Sequence, residues 1–574
     1  MEKIKKNILF TFFLFLSVFI FSREFFLSDF NKIIGNVGDP RYTVLILEHW
    51  FLTFKNIVDW NSPIFFYPEQ NTLSYSDSLF LISLPYSFFR LFNIDILLSL
   101  ELTMISMQIL GFVFMYLLLK RIFNFLEISS LLGATIFTIS QPKLLIASNN
   151  QQFFSFVFVP LIIYSIISFF KYSSINKRKS YIHATTFAFF LPLLFFTCFK
   201  IGWTILFISL TFFLIIFSFL IYYQEILKFS KSLWKYLKKI QKQLIFLFSS
   251  IILFSIPFLL LYLPMFEYSK VFIADYKYIG LLFRGFDEII NLGSQNFFWG
   301  GLVGDFQYTD YYLVKLKAHK MWPLGLPYFF LFLILVGIFY LLQDLNKNKL
   351  IVFKKGEFFQ FRLLLLKLSA LLFLLYYIFT VNFYGTSLWW FIYNYIIGAN
   401  VIRQPSYVII HLLVFFGVII SLFTLELFYS KIKRIRFLKQ KNYLLKIFSF
   451  VVIFLLIIEE INIKSSHMID RKNELFFKNN ITAPPDQCDC FYITNVKQGQ
   501  NNFYYQIQAM IIAYKFFIPT FNGYSGLGPE GWELQHPDKK DYVNKINNWK
   551  KKHHFFLHNQ TICQYDLINN KWVY

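Results

Sequence analysis

Charge is scarce in this sequence: Asp, Glu, Lys and Arg make up 15% of its 574 residues, against about a quarter in soluble globular domains. Acidic residues are the scarcer half, 32 against 55 Lys and Arg, which leaves a net charge of +23. Four cysteines in the whole chain exclude a disulfide-built scaffold, and no Cys/His pair carries zinc-finger spacing. What fills the chain instead is apolar: 57% hydrophobic residues, 80 of them Phe, with a mean hydropathy of +0.52. The excess of Phe, Ile, Lys and Asn matches the bias of an AT-rich genome, so the aromatic count is not itself a functional signal. A soluble globular protein is excluded, and the basic balance needs an explanation other than composition alone.

A helix of about 20 apolar residues crosses the hydrocarbon core of a bilayer. Eleven runs approach that length: 7 to 22, 96 to 119, 128 to 147, 152 to 170, 181 to 199, 201 to 223, 244 to 264, 322 to 343, 363 to 381, 406 to 429 and 444 to 462. The first follows Lys3, Lys5 and Lys6 like the start of a signal peptide. Bulky Phe19, Ile20 and Phe21 stand where a cleavage site needs small residues, so an uncleaved anchor is expected.

The connections alternate in charge. With a cytoplasmic N-terminus, the inner segments total 77 residues and hold 26 Lys and Arg, whereas the outer ones total 159 and hold 13. This positive-inside bias predicts an inner (plasma) membrane protein with a cytoplasmic N-terminus and an extracytoplasmic tail. It also accounts for much of the basic balance, and nucleic acid drops out as a partner. The expected organisation is a multipass domain over 1–462 and an extracytoplasmic soluble domain over 463–574, with long outer loops at 23–95 and 265–321.

Ionisable residues in mid-membrane usually mark ion or proton pathways. Here Glu101, Lys143 and Lys200 fall near outer span ends and Glu426 near an inner one. His183 and His411 sit closer to an edge than to a midplane and read as neutral histidines bonded between helices. An ion-coupled transporter needs central charges or broken helices, so the polar residues of interest lie on the outer rim.

The 73-residue first outer loop is too long for a mere connection. Asp39 before Pro40 is a good helix start, with Asp as N-cap and Pro at the first position. The helix to about Phe54 would offer Tyr42, Leu45, Ile46, Trp50 and Phe54 to the membrane surface. A second interfacial helix is expected over Leu79–Phe92, started by Ser76 or Asp77.

An N-terminal anchor, a long outer loop with an early Gly-Asp, many spans and a soluble outer tail resemble the GT-C superfamily of integral-membrane glycosyltransferases. The stretches GDPRYTVLILEHW, SPIFFYPEQNTLSYSD, IRQPSY and PTFNGYSGLGPEGWEL look like those of uncharacterised bacterial GT-C-like multipass proteins. With the eleven runs and the patterns of the tail described below, the expected fold is an all-α polytopic membrane protein of about eleven transmembrane helices, GT-C-like by the resemblance, with a small α/β C-terminal domain. The resemblance also implies a polyprenyl-phosphate-linked sugar donor, a glycan, lipid or protein acceptor, transfer on the outer face, and Asp39 at the catalytic position. Pro40 stands where the protein O-mannosyltransferase pattern has Glu, Trp389-Trp390 is followed by Phe391, and there is no Asp-x-Asp. Sequon glycosylation is therefore not the expected reaction.

Sugar transfer from a phosphate leaving group needs a carboxylate to take the acceptor's proton and positive charge for the departing phosphate. Asp39 suits the first role, and capping its own helix is the alternative. Arg403, nearly alone in a short outer loop, presents a fork suited to phosphate oxygens or snorkels to headgroups. Arg41, Glu48, His49 and Asp77 complete the substrate-binding candidates, with interfacial contacts or capping as their plainer roles. No cofactor is assigned, and a divalent metal stays open as the source of positive charge. Lys270, Lys277, Arg284, Asp305, His319 and Lys320 of the loop 265–321 form either a lid over lipid phosphate or a solvated surface. The rival function is a non-catalytic lipid or glycan translocator, or an envelope polysaccharide assembly factor.

The tail turns polar from Ile463. Cys490 to Val496 and Thr561 to Leu567 read as strands, and Gln500 to Phe517 and Asp538 to His554 as helices. Between the helices, FNGYSGLGPEGW is a glycine-rich loop that lacks a Walker lysine, so it is expected to face the membrane domain or the acceptor. His553, His554 and His558 read as exposed surface. Cys563 is expected to pair with Cys490, with Cys488 as the alternative, in an oxidising compartment.

Overall fold

The computed structural model describes all residues except 1, 37, 141–148, 223–225, 267–275, 277–288, 304–324, 344–356, 383–386, 404, 435–441, 464–467, 498–501 and 574. Among the described residues, eight helices are long and apolar enough to cross a membrane: Lys3–Leu27, Ile96–Arg121, Gln151–Ser173, Lys177–Thr197, Phe199–Tyr222, Gln241–Met265, Phe361–Thr380 and Pro405–Lys433. The chain is a polytopic helical membrane protein. The other three expected spans fall on shorter apolar helices, Glu127–Ile139, Tyr328–Gln343 and Asn442–Ile458. Lys143 and the six named polar residues of the loop 265–321 lie outside the described residues.

Pro405–Lys433 is the most buried of the eight and forms the hub of the C-terminal spans. Close approach to it depends on missing side chains: a Cβ on Gly337 would stand 2.4 Å from Thr424 Oγ1 and 2.6 Å from Ile420. Small residues serve this purpose between helices in lipid. Sparse hydroxyl pairs such as Ser17–Thr138 at 2.8 Å and Thr211–Tyr376 at 2.7 Å cross between spans. Glu426 accepts from Leu126 N–H and Arg362, which satisfies an orphan donor at the start of Glu127–Ile139.

The first loop and the tail are built as one body. Strand β1 (Lys32–Ile34) pairs antiparallel with β2 (Met468–Asp470). In the tail, β3 (Cys490–Thr494) runs parallel to β4 (Ile562–Asp566), which pairs antiparallel with β5 (Lys571–Val573). Phe491 N–H donates to Pro519, Phe521 N–H to Phe491, Tyr67 N–H to Thr520 and Thr520 N–H to Ile64. The first-loop segment 64–67 thus extends the tail's sheet beyond 519–521. Helices Asn502–Phe516 and Tyr542–Lys552 flank it, near their expected positions.

Two expectations are corrected here. Helix Asp39–Phe54 does not lie on the membrane surface: Tyr42, Leu45, Ile46 and Trp50 are buried within the protein, and of the expected face only Phe54 is exposed. The tail and helix Phe80–Leu91 cover that apolar face, while Leu84, Phe88 and Leu91 of the second helix remain exposed. The disulfide joins Cys563 to Cys488, and Cys490 is a buried free thiol. The reason is strand alternation. Cys563 is in register with Phe491 and Cys490 with Ile562, so Cys490 and Cys563 point to opposite faces. Cys488 precedes the strand and is free of that constraint.

Candidate active site

Helix Asp39–Phe54 starts with Pro40 in its first turn, but Gly38 holds the N-cap position and no side chain caps it. Asp39 does not cap its own helix. Its Oδ2 accepts from Asn150 Nδ2 at 3.0 Å and its Oδ1 from the Tyr524 hydroxyl at 2.6 Å. Asn150 stands just before the turn that opens the span Gln151–Ser173, and Tyr524 comes from the glycine-rich tail loop. Three distant segments therefore meet on one carboxylate.

The carboxylate borders a cavity of about 530 Å³ lined by Gly35, Asn36, Gly38, Asn149, Met468, Phe503 and Tyr524. Each wall has a local cause. Ile34, ahead of Gly35, donates from its N–H to Glu101 and accepts Gln151 at its carbonyl, which fixes β1 against two spans. Asn36 donates to Asn149 and accepts Gly38 N–H at 2.8 Å, so its amide bridges the loop and the span start. The tail loop is held by Gln506, whose Oε1 accepts from Gly523 N–H and Asn522 Nδ2. Gly523 has no alternative there, because a Cβ would stand 2.5 Å from the Phe66 ring.

Burial, then the Asp39 charge and the hydrogen bond to it, raise the Tyr524 phenol well above its ordinary range. It therefore remains a proton donor to the carboxylate at any physiological pH. The site presents one acceptor-only group, several amides and two aromatic rings, Phe503 and Tyr524, 5.9 Å apart. No three His, Cys, Asp or Glu side chains converge as a metal-ligand set among the described residues. Among the described residues, Asp39 is the one carboxylate lining the cavity.

The other candidates sit elsewhere. Glu48 accepts from Arg90 at 2.8 and 2.9 Å and from Tyr86 at 2.7 Å, tying its helix to Phe80–Leu91. His49 is fully buried, its Nε2 3.0 Å from the Trp60 carbonyl, and burial pushes its pKa down to about 4. Arg41 is buried against Glu474 and over the Tyr504 ring. Asp77 does not start the helix Phe80–Leu91; its carboxylate accepts Phe199 N–H at 3.1 Å, at the head of the span Phe199–Tyr222. Arg403 is exposed ahead of Pro405. None of the five lines the cavity.

Asn36, Asn149, Asn150, Phe503 and Tyr524 escaped the reading of the sequence. Two signals were visible: the polar Asn149-Asn150-Gln151-Gln152 run between apolar stretches, and Tyr524 within the glycine-rich loop.

No family model matches the sequence, and no curated protein matches it. Among solved structures, the chain is similar to the Archaeoglobus fulgidus oligosaccharyltransferase tethered to an acceptor peptide with an NVT sequon. That likeness has 11% identity and a TM-score of 0.49, covering 95% of this chain and 68% of the other. The same enzyme in complex with Zn and sulfate gives 13% identity and a TM-score of 0.48, over 96% and 67% of the two chains. Its apo form gives 13% and 0.46, over 95% and 68%.

Proposed function

We propose that this protein is a glycosyltransferase that moves a sugar from a polyprenyl-phosphate-linked donor to a glycan, lipid or protein acceptor on the outer face of the membrane, with Asp39 as general base. The observation that carries this reading is that the Asp39 carboxylate turns away from its helix and into a polar, aromatic-walled cavity shared by loop, span and tail. Ring faces beside planar amides suit the apolar faces and hydroxyl edges of a sugar.

In this reading the acceptor hydroxyl lies against Asp39. Its oxygen forms the new bond to the anomeric carbon, the bond from that carbon to the phosphate oxygen breaks, and the phosphate leaves with the electron pair. The hydroxyl proton passes to the carboxylate. Each Asp39 oxygen has a lone pair beyond the one engaged by Tyr524 or Asn150, so both partners orient the base without blocking it. Arg403 supplies positive charge to the lipid-borne phosphate from the outer rim.

The test is a donor screen on the purified protein in proteoliposomes, with polyprenyl-phosphate sugars and an extract of envelope acceptors. Acceptor-dependent release of polyprenyl phosphate from one donor is expected. Binding of donors with no release from any of them would favour the translocator or assembly-factor reading.

A further inference from the structure

The helix Ile226–Lys239 joins the ends of two spans, Phe199–Tyr222 and Gln241–Met265, and is set apart from both by composition. With 3.6 residues per turn, Leu233, Trp234, Tyr236 and Leu237 fall in one arc of about 160°, and Lys231, Lys235, Lys238 and Lys239 in an opposite arc of about 100°. Within the apolar arc, burial increases along the helix. Tyr236 and Leu237 pack on the bundle, the Tyr236 hydroxyl bonding the Ser173 hydroxyl at 2.6 Å and the Phe170 carbonyl at 2.7 Å. Leu233 and Trp234, one turn earlier, are 41% and 64% exposed. The four lysines are exposed, and so are Lys177, Arg178, Lys179 and Lys242 at the same end of the bundle.

We infer that this helix is a lipid-binding element that lies along one face of the bilayer, Leu233 and Trp234 inserted among the acyl chains and its lysines held by anionic headgroups. The charge pattern selects the occupant. A covalent link to two spans fixes the helix at the membrane boundary. A basic arc beside a protruding Trp and Leu is the pattern of an in-plane interfacial helix. Basic residues near an anionic lipid surface each strengthen such binding severalfold. Tyr236 anchors the helix to the bundle. The inference does not depend on the transferase reading.

The test uses the full chain. Cys198 and Cys490 are buried and Cys488 is bonded to Cys563, so Trp234→Cys introduces a selectively labelled thiol for a bimane fluorophore. The protein is reconstituted in vesicles of phosphatidylcholine alone or with 30% phosphatidylglycerol, in each case with brominated acyl chains as quencher or with aqueous iodide. Lys235→Cys provides the aqueous reference, and elution as a single species checks each variant's fold. Position 234 should be quenched by brominated chains and shielded from iodide, and position 235 the reverse. Phosphatidylglycerol should strengthen bromine quenching at 234 at least about twofold, and changing Lys231, Lys235, Lys238 and Lys239 to Gln should remove that gain. Iodide access at 234 in both vesicle types would overturn the inference. So would shielding from both quenchers, which means a protein contact, or quenching that ignores phosphatidylglycerol.

Discussion

At the scale of single residues, the carboxylate of Asp39 is held from both sides, by an amide that precedes a span and by a phenol from the far end of the sequence. If Tyr524 only orients the base, Tyr524→Phe should lower kcat by about tenfold, the value of one hydrogen bond to a charged group. KM should barely move; an unchanged kcat would make Tyr524 a wall residue. Arg403→Lys keeps the charge and loses the fork, so transfer should fall while abundance holds. Full activity of Arg403→Ala would return that residue to snorkelling. His49 gives a pH prediction. Its folded pKa of about 4 lies below the ordinary 6.5, so the unfolded chain binds the extra proton. His49 therefore contributes stability that is complete above about pH 6.5 and lost as pH falls toward 4, about 3 kcal/mol at most. Melting of His49→Gln in detergent should show a shallower acid dependence than wild type, and parallel curves would count against it.

At the scale of elements, the tail is fastened to the first loop by strand pairing, by the 64–67 edge and by the Arg41–Glu474 ion pair. That pair is mostly buried, so Arg41→Met leaves Glu474 unpaired and should cost about 3 kcal/mol, read as earlier proteolysis of the tail. Wild-type resistance would show that the sheet alone holds it. A non-reducing peptide map should link Cys488 to Cys563 and leave Cys490 free for alkylation after unfolding. A Cys490–Cys563 link would contradict the strand register. The helices and strands of the tail were legible because their patterns are local: a short β-prone apolar run over Cys490–Thr494, helical spacing over Asn502–Phe516. What joins elements was not. Nothing near Lys32 announces a partner at Asp470, and Tyr42 is covered by Tyr524, more than 400 residues away, while Trp50 is covered by Phe80 and by Phe196 of a later span. An apolar helix face reads the same whether lipid or protein covers it. Asp39 stands out in the sequence for its place before Pro40 and for the GT-C resemblance; the hold on its carboxylate depends on Asn150 and Tyr524, whose approach no spacing encodes.

At the scale of the molecule, hydropathy gave the spans because crossing hydrocarbon leaves a long unbroken record. Among the described residues, three of the eleven runs carry helices of 13, 16 and 17 residues. On the charge bias alone, Asp39 and the tail are expected outside the cytoplasm. Reporter fusions after Ser174, Lys349 and Lys439 should signal cytoplasm and those after Tyr67, Lys315 and Tyr574 the other side; a cytoplasmic Tyr574 fusion would invert or break the topology. The most direct test of the whole account is turnover of Asp39→Asn beside wild type in proteoliposomes with the donor the screen identifies. Asparagine fills the same space and still accepts one hydrogen bond, but it takes no proton. Turnover should fall roughly a hundredfold or more with abundance and donor binding unchanged, whereas wild-type turnover from Asp39→Asn would contradict the account and move the base elsewhere.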